Sequence, residues 1–530
     1  MKDIYVHSDG EQYLSRVMLH GEREEEGRTV SIQVYPGRER TPAPPPMAPL
    51  APEHYLCWNP GLFMAPRGRE TLIVEPESAQ WIVLDERYYS LFSLARPVTP
   101  FFMLSKNPFA PPEETEQFFY FLLCKNIVQR KDWPLLFPPV MPSPLHYPSF
   151  FSIHVTESCN FRCTYCYGDA PSRGKKMKKE TLRAIIDGIF LHFSRQDVTI
   201  EFHGGEPLLA RGLIEAGCRQ IRELWKAKPH RRFRILIQTN GSLITSEDID
   251  FFREHDISVG VSMDGPREIH DRNRVYHGGK GTFRDTMRGF SLLRSHGIEG
   301  GVLAVVEEPR DYVPVARFLL EIGVTGFRLN HMVCQGRGEV DPLKAHSRGE
   351  AFAREYLELV DFLDEYGKAH REERLDVWPV NIMLFHLAET HRPFMCMRSP
   401  CGAGSHGLGF DYRGDIYPCE QLAGFGELRV GSIFDKLPLD ELLGESPVIK
   451  TLRERRVERI EKCCTCPWRN FCGGGCAAES FSCYHDLAHE DLHCTFYRRT
   501  FENLMWELHR RGDLTHLMGQ FGRQRGYGYE

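Results

Sequence analysis

Phe151-Ser152-Ile153-His154-Val155-Thr156-Glu157-Ser158-Cys159-Asn160-Phe161-Arg162-Cys163-Thr164-Tyr165-Cys166-Tyr167 is the stretch on which the reading of this 530-residue chain turns. Phe151–Val155 is a short apolar run suited to a strand. Directly after it stand three cysteines spaced C-x₃-C-x₂-C, able to wrap one face of a cubane from a single loop. An iron–sulfur cubane ordinarily takes four thiolates, so three leave one iron open to another ligand. A zinc site is the alternative reading. Zinc wants a fourth ligand, however, and His154 lies awkwardly within the strand.

Outward from this stretch, short apolar runs alternate with longer amphipathic ones. Candidate strands are Phe151–Val155, Val198–Phe202, Phe233–Gln238, Ile257–Ser262, Gly300–Val305 and Gly326–Leu329, with helices such as Lys179–Phe193 and Thr282–His296 between them. Six successive βα units argue an α/β fold whose parallel sheet is curled by right-handed crossovers into a partial (β/α)6 barrel of the TIM type. In such sheets the reactive groups sit just past the strand C-termini. His203-Gly204-Gly205-Glu206-Pro207-Leu208 follows the second strand and Gln238-Thr239-Asn240-Gly241 the third. Ser262-Met263-Asp264-Gly265-Pro266 follows the fourth, with Asp271-Arg272-Asn273-Arg274 just beyond. Each alone is an ordinary turn signal. Their order, one per strand end, marks a site.

The arrangement resembles the radical SAM superfamily, in which C-x₃-C-x₂-C follows the first barrel strand, an aromatic residue (here Tyr165) precedes the last cysteine, and a Gly-Gly-Glu-Pro turn follows the second strand. The resemblance implies a [4Fe–4S] cluster on Cys159, Cys163 and Cys166, whose open iron binds the amino and carboxylate groups of S-adenosylmethionine (SAM). Reduction would then cleave SAM to methionine and a hydrogen-abstracting 5′-deoxyadenosyl radical. It also implies a SAM-binding set of Tyr165, Gly204, Gly205, Glu206, Gln238, Asn240, Ser262, Asp264 and Arg274. Within it the glycines let backbone approach the amino group beside Glu206, while Ser262 and Arg274 reach the carboxylate.

Seventeen cysteines in a long chain without an export signal read as metal ligands rather than disulfides. From Cys396 the βα rhythm stops. Cys396, Cys401, Cys419, then Cys463-x₂-Cys466-x₅-Cys472-x₃-Cys476, and finally Cys494 follow. Two zinc ribbons would suit such spacing. Beside the first loop, the pattern resembles the SPASM extension of radical SAM enzymes. That resemblance implies two auxiliary [4Fe–4S] clusters and three in all. One takes Cys396, Cys401, Cys419 and Cys476, and the other Cys463, Cys466, Cys472 and Cys494. Cys464 and Cys483 stand near enough in sequence to replace a ligand. Cys57, Cys124, Cys218 and Cys334 fit no ligand spacing and read as small hydrophobes. Glu420, beside Cys419, occupies the place of a catalytic acid in sulfatase-maturing relatives. It reads either as the base that takes a proton during substrate oxidation or as a surface glutamate. The 23 histidines show no recurring metal spacing.

Before the barrel, Leu72–Glu75 and Trp81–Leu84 read as strands about a Pro76 turn, and Tyr88–Leu94 and Thr115–Gln129 as helices. Prolines cluster on both sides, between Pro42 and Pro52 and between Pro134 and Pro144. The expected domains are an extension with a proline-rich linker (1–52), an α+β winged-helix-like module (53–145), the barrel (146–395), the cysteine-rich SPASM domain (396–510) and a tail (511–530). The module resembles the peptide-recognition element of ribosomal-peptide maturases, which holds a leader peptide as an added strand. It is expected to be separable, so that a chain starting near Pro148 keeps its clusters. A winged helix can instead bind DNA. Acidic residues outnumber basic ones over residues 1–150, however, and the whole chain carries −6, so no nucleic acid is expected. No eighteen-residue apolar run crosses a membrane, and the enzyme is expected to be cytoplasmic. The function expected is a radical SAM peptide maturase. It would form a thioether, carbon–carbon or other cross-link in a precursor peptide with a leader, and draw electrons from a flavodoxin or ferredoxin. A sulfatase-type maturase making formylglycine is the runner-up. A non-catalytic zinc-bound scaffold is the alternative from another class.

Overall fold

Alternation sets the barrel. In Phe150–Thr156 (β1), Phe151, Ile153 and Val155 enter the apolar layer beneath the helices, which leaves Ser152 and His154 on the opposite face. In Val198–Gly204 (β2), Val198, Ile200 and Phe202 do the same, and Glu201 and His203 share the inner face. Phe233–Thr239 (β3), Ile257–Ser262 (β4), Val302–Val306 (β5) and Gly326–His331 (β6) complete the expected six, joined in parallel in chain order. Two strands that the sequence pattern does not show join the sheet in parallel. Asp376–Trp378 (β7) extends the parallel sheet beyond β6, and Gly407–Phe410 (β8) pairs in parallel with β1. The first is three residues long and the second half glycine, so neither reads as a strand. Asp415–Tyr417 (β9) then turns back antiparallel on β8. This places the residues around Cys419 against the strand that begins the barrel.

The computed structural model describes residues 50–96, 98–130, 148–193, 197–226, 232–298, 300–338, 342–389, 392, 394–512 and 514–522, with the short strands Leu19–Gly21 and Val30–Ile32. Most of the expected 1–52 extension, both proline clusters apart from Pro52, and the last eight residues of the tail lie outside the described residues. Among the described residues no helix is long and apolar enough to cross a membrane.

The N-terminal module contains three antiparallel strands, Phe63–Arg67, Glu70–Glu75 and Gln80–Asp85, followed by the helices Glu86–Ser93 and Pro112–Cys124. The second helix stops at Cys124 rather than Gln129. Asn126 takes a positive φ of 54°, and Val128–Arg130 leaves to pair with Leu56–Trp58. The sheet is shared, not free-standing. Ile73, Ile82 and Leu84 face the module's own helices, whereas Leu72, Val74 and Val83 belong to the main core. Its second face meets the cysteine-rich region. Asn470 Nδ2 donates to the Pro76 carbonyl at 2.9 Å, Arg469 pairs with Glu77, and Phe63 meets Trp468 edge-on at 5.4 Å. Trp81 Nε1 donates to the Leu387 carbonyl at 3.1 Å.

Candidate active site

Close backbone approach builds the cysteine loop. The Gly205 amide donates to the Thr156 carbonyl and the Glu206 amide to the Ser158 carbonyl, both at 2.8 Å. A Cβ on Gly204, whose φ is +129°, would lie 2.3 Å from the Thr156 carbonyl oxygen, and one on Gly205 2.2 Å from that of Ser158. The two glycines are therefore required by the cysteine loop itself. On its other flank the Thr164 amide donates to Asn273 O at 2.9 Å and Arg337 Nε to Cys163 O at 2.8 Å. Cys159, Phe161 and Ala170 form a small apolar cluster against which Cys163, Cys166 and Tyr276 pack. Burial pushes the Cys159 thiol up to about 12, with Glu206 and the other two thiols adding to it. Burial also pushes Cys163 up to about 11. Three thiols crowded in one apolar pocket are a donor set that a cationic iron–sulfur cluster would satisfy.

The side chains of the expected SAM set form three hydrogen-bonded groups beside this loop. Glu206 is fully buried and accepts from Leu208 N (3.1 Å), Thr239 Oγ1 (2.7 Å) and Asn240 N (2.8 Å), tying the second strand end to the third. Gln238 Nε2 donates to Ser262 Oγ at 2.9 Å, and Asn240 Nδ2 to Asn160 Oδ1 at 2.8 Å. Asp264 accepts from Tyr165 and from Val305 N (2.9 Å), and pairs with Arg274 at 3.0 Å. Glu206, Asp264 and Arg274 are thus committed to protein partners. Their direct effect is to fix the loops.

Glu420 is half-buried. The turn after β9 carries it into the lumen, where Tyr167 Oη donates to its Oε1 at 2.5 Å and His203 Nε2 lies 3.2 Å from the same oxygen. His154 lies behind His203, ring centroids 5.3 Å apart. Burial by itself would raise the Glu420 carboxyl. His203, His154 and the Tyr167 hydroxyl outweigh it and hold the group below the usual carboxylate range. Glu201, one inward position before His203, goes the other way. Burial and then Glu420 push it up to about 7. Arg328 on β6 acts on both carboxylates and lies over the Trp378 ring at 4.3 Å. The sequence reading missed His203, Glu201 and Arg328 and set His154 aside. The usable signal was strand phase, because each is a polar residue where alternation points inward.

Among the eight other cysteines expected to hold clusters, the thiols that act on one another belong to the same expected quartet. Burial, Cys401 and Cys396 raise Cys419, and burial and Cys396 raise Cys476. Burial, Cys463, Cys466 and Cys494 raise Cys472. Burial pushes Cys463 up to about 12, with Cys494 and Cys466 adding to it. Cys464 is exposed and donates to Glu461 O at 3.1 Å. Cys483 has Cys334 as its thiol neighbour instead of a quartet.

The model of the radical SAM superfamily matches residues 153–318. The cysteine-type anaerobic sulfatase-maturating enzyme of Clostridium novyi is 27% identical over 363 residues, covering 66% of this chain and 92% of that enzyme. The serine-type enzyme of Bacteroides thetaiotaomicron is 28% identical over 352 residues, covering 61% and 81%. An uncharacterised protein of Methanocaldococcus jannaschii is 31% identical over 287 residues, covering 54% of this chain and 88% of that protein. Among solved structures, native anSMEcpe with bound AdoMet superposes with a TM-score of 0.59 at 22% identity, covering 69% of this chain and 100% of that one, which shows a common fold.

Proposed function

Because the chain belongs to the radical SAM superfamily, we propose that it is a maturase of a ribosomally made precursor peptide, whose leader pairs with the N-terminal module while the target residue enters the lumen. When bound, SAM and a reduced [4Fe–4S] cluster supply the hydrogen-abstracting radical. Cys159, Cys163 and Cys166 would hold that cluster, and the two quartets an auxiliary cluster each. A low-potential donor of the flavodoxin or ferredoxin class would supply electrons. Tyr165, Asp264 and Arg274 fix the rim around SAM. Tyr167, His203 and Glu420 form the polar end of the lumen, where the target residue would lose its proton.

One observation carries the leader-dependent reading. The Clostridium novyi enzyme is matched over 92% of its length, yet a third of this chain lies outside that alignment. Three antiparallel strands followed by helices are present here, and among the described residues Gln80–Asp85 pairs on one side only. An open edge of this kind suits strand addition. A second reading, formylglycine formation on a sulfatase, is favoured by the relatives' names. The two separate in an anaerobic assay with SAM and reductant. A precursor peptide from a neighbouring reading frame should be modified only with its leader attached. Equal turnover of a short sulfatase-derived cysteine or serine peptide would put the second reading ahead.

A further inference from the structure

The polar end of the lumen has the composition of a metal site. His154 and His203 sit opposite one another on β1 and β2, paired in register. Glu420 reaches them from the turn after β9. One ligand atom from each of the three lies within 4.8 Å of the other two. In a tetrahedral site with bonds of about 2.0–2.1 Å to nitrogen and oxygen, ligand atoms stand about 3.3 Å apart. His203 Nε2 and Glu420 Oε1, at 3.2 Å, already have that separation.

Two further features point to an occupant. His154 Nε2 is buried and makes no hydrogen bond. A buried nitrogen left this way is costly unless something fills the space before it. His203 is oriented as metal-bound histidines usually are, with a partner on the far nitrogen. The Tyr167 hydroxyl lies 3.5 Å from His203 Nδ1, while Nε2 faces Glu420. The same hydroxyl donates to Glu420 Oε1.

We propose that His154, His203 and Glu420 bind a divalent transition-metal ion of the zinc or ferrous class, distinct from the cysteine-held clusters, with an open position toward the lumen. Two imidazoles and a carboxylate suit that class, whereas calcium and magnesium take oxygen ligands. The open position takes a thiol of the target residue as a further ligand. Coordination lowers the pKa of the bound group, and its proton leaves to solvent. Glu420 then serves as a ligand, and the ion takes over the deprotonation. The site rests on this geometry alone. Its use on the substrate rests on the maturase reading, and a binding experiment without peptide or SAM separates the two.

The experiment is equilibrium dialysis of anaerobically reconstituted holoenzyme against micromolar zinc, with bound zinc and iron measured by mass spectrometry. A Cys464→Ser background removes the exposed thiol. One zinc per chain is expected beyond the cluster iron. His154→Gln and His203→Gln should each weaken zinc binding by about 10–100-fold or more while iron content stays at the parent level. No bound zinc in the parent, or equal zinc in parent and variants, overturns the proposal. Should the variants lose iron, the zinc-edge absorption spectrum of the parent decides. A first shell of nitrogen and oxygen supports the site, and a sulfur shell overturns it.

Discussion

The loop holding Cys159, Cys163 and Cys166 and the region holding the other eight assigned cysteines gather thiols in opposite ways. The loop collects three within eight residues of chain and is held by backbone bonds from its neighbours, the Gly205 and Glu206 amides among them. The C-terminal region draws each quartet from distant positions. One runs from Cys396 to Cys476, the other from Cys463 to Cys494. It also carries the N-terminal sheet through Trp468, Arg469 and Asn470, which lie between two of its cysteines. Thiols collected locally can be removed without unmaking the fold around them, because that fold is made by other bonds. Thiols collected from afar are themselves among the long-range contacts. Damage to the loop should therefore cost the reaction, and damage to the quartets should cost the structure.

The largest effect belongs to the loop. Replacing Cys159, Cys163 and Cys166 together by alanine should abolish 5′-deoxyadenosine formation and lower iron from about twelve to about eight per chain. The thermal midpoint should barely move. A collapse of the protein would break the contrast. Cys472→Ala should do the reverse, since it ends the helix Arg469–Cys472 that presses on Pro76 and Glu77. About four irons should be lost, and the midpoint should fall by several degrees, because cluster binding is folding energy for a quartet assembled this way. Glu420 sits where the regions meet, with Cys419 on one side and Tyr167 of the loop on the other. Glu420→Gln should keep all iron and still cleave SAM, yet slow formation of modified peptide by about 10²-fold, read by mass spectrometry of the peptide.

How much of this was legible follows from the range of each contact. The six barrel strands were legible because apolar runs such as Phe151–Val155 and Val198–Phe202 carry their own periodicity. Gly407–Phe410 was not, since a strand half made of glycine is recognisable only by the partner it pairs with. The quartets could be inferred only by resemblance, because their members stand far apart in the chain. The lumen was the failure. In sequence, His203 reads as the first residue of a glycine turn, and Glu420 as either a base or a surface residue. Positions 154, 203 and 420 share no spacing that a sequence could show. Only the pairing of β1 with both β2 and β8 brings them to one place.

The smallest effect tests the seam between module and quartets. The expectation that a chain starting near Pro148 keeps its clusters treats the module as detachable. Leu72, Val74 and Val83 argue against that, because removal would uncover them in the main core and leave Asn470 without the Pro76 carbonyl. A gentler cut separates docking from peptide binding. Asn470→Ala deletes the side-chain hydrogen bonds to the Pro76 and Glu77 carbonyls and should cost about 1–2 kcal/mol. The thermal midpoint should drop slightly, while iron content and SAM cleavage stay at the parent level. Precursor affinity should also hold, because Asn470 touches the turn at Pro76 and Glu77 rather than the open edge at Gln80–Asp85. If affinity falls along with the midpoint, the leader depends on the docked position of the module. The contrast would then sharpen further, with the second quartet's region supporting both the fold and the recognition of substrate.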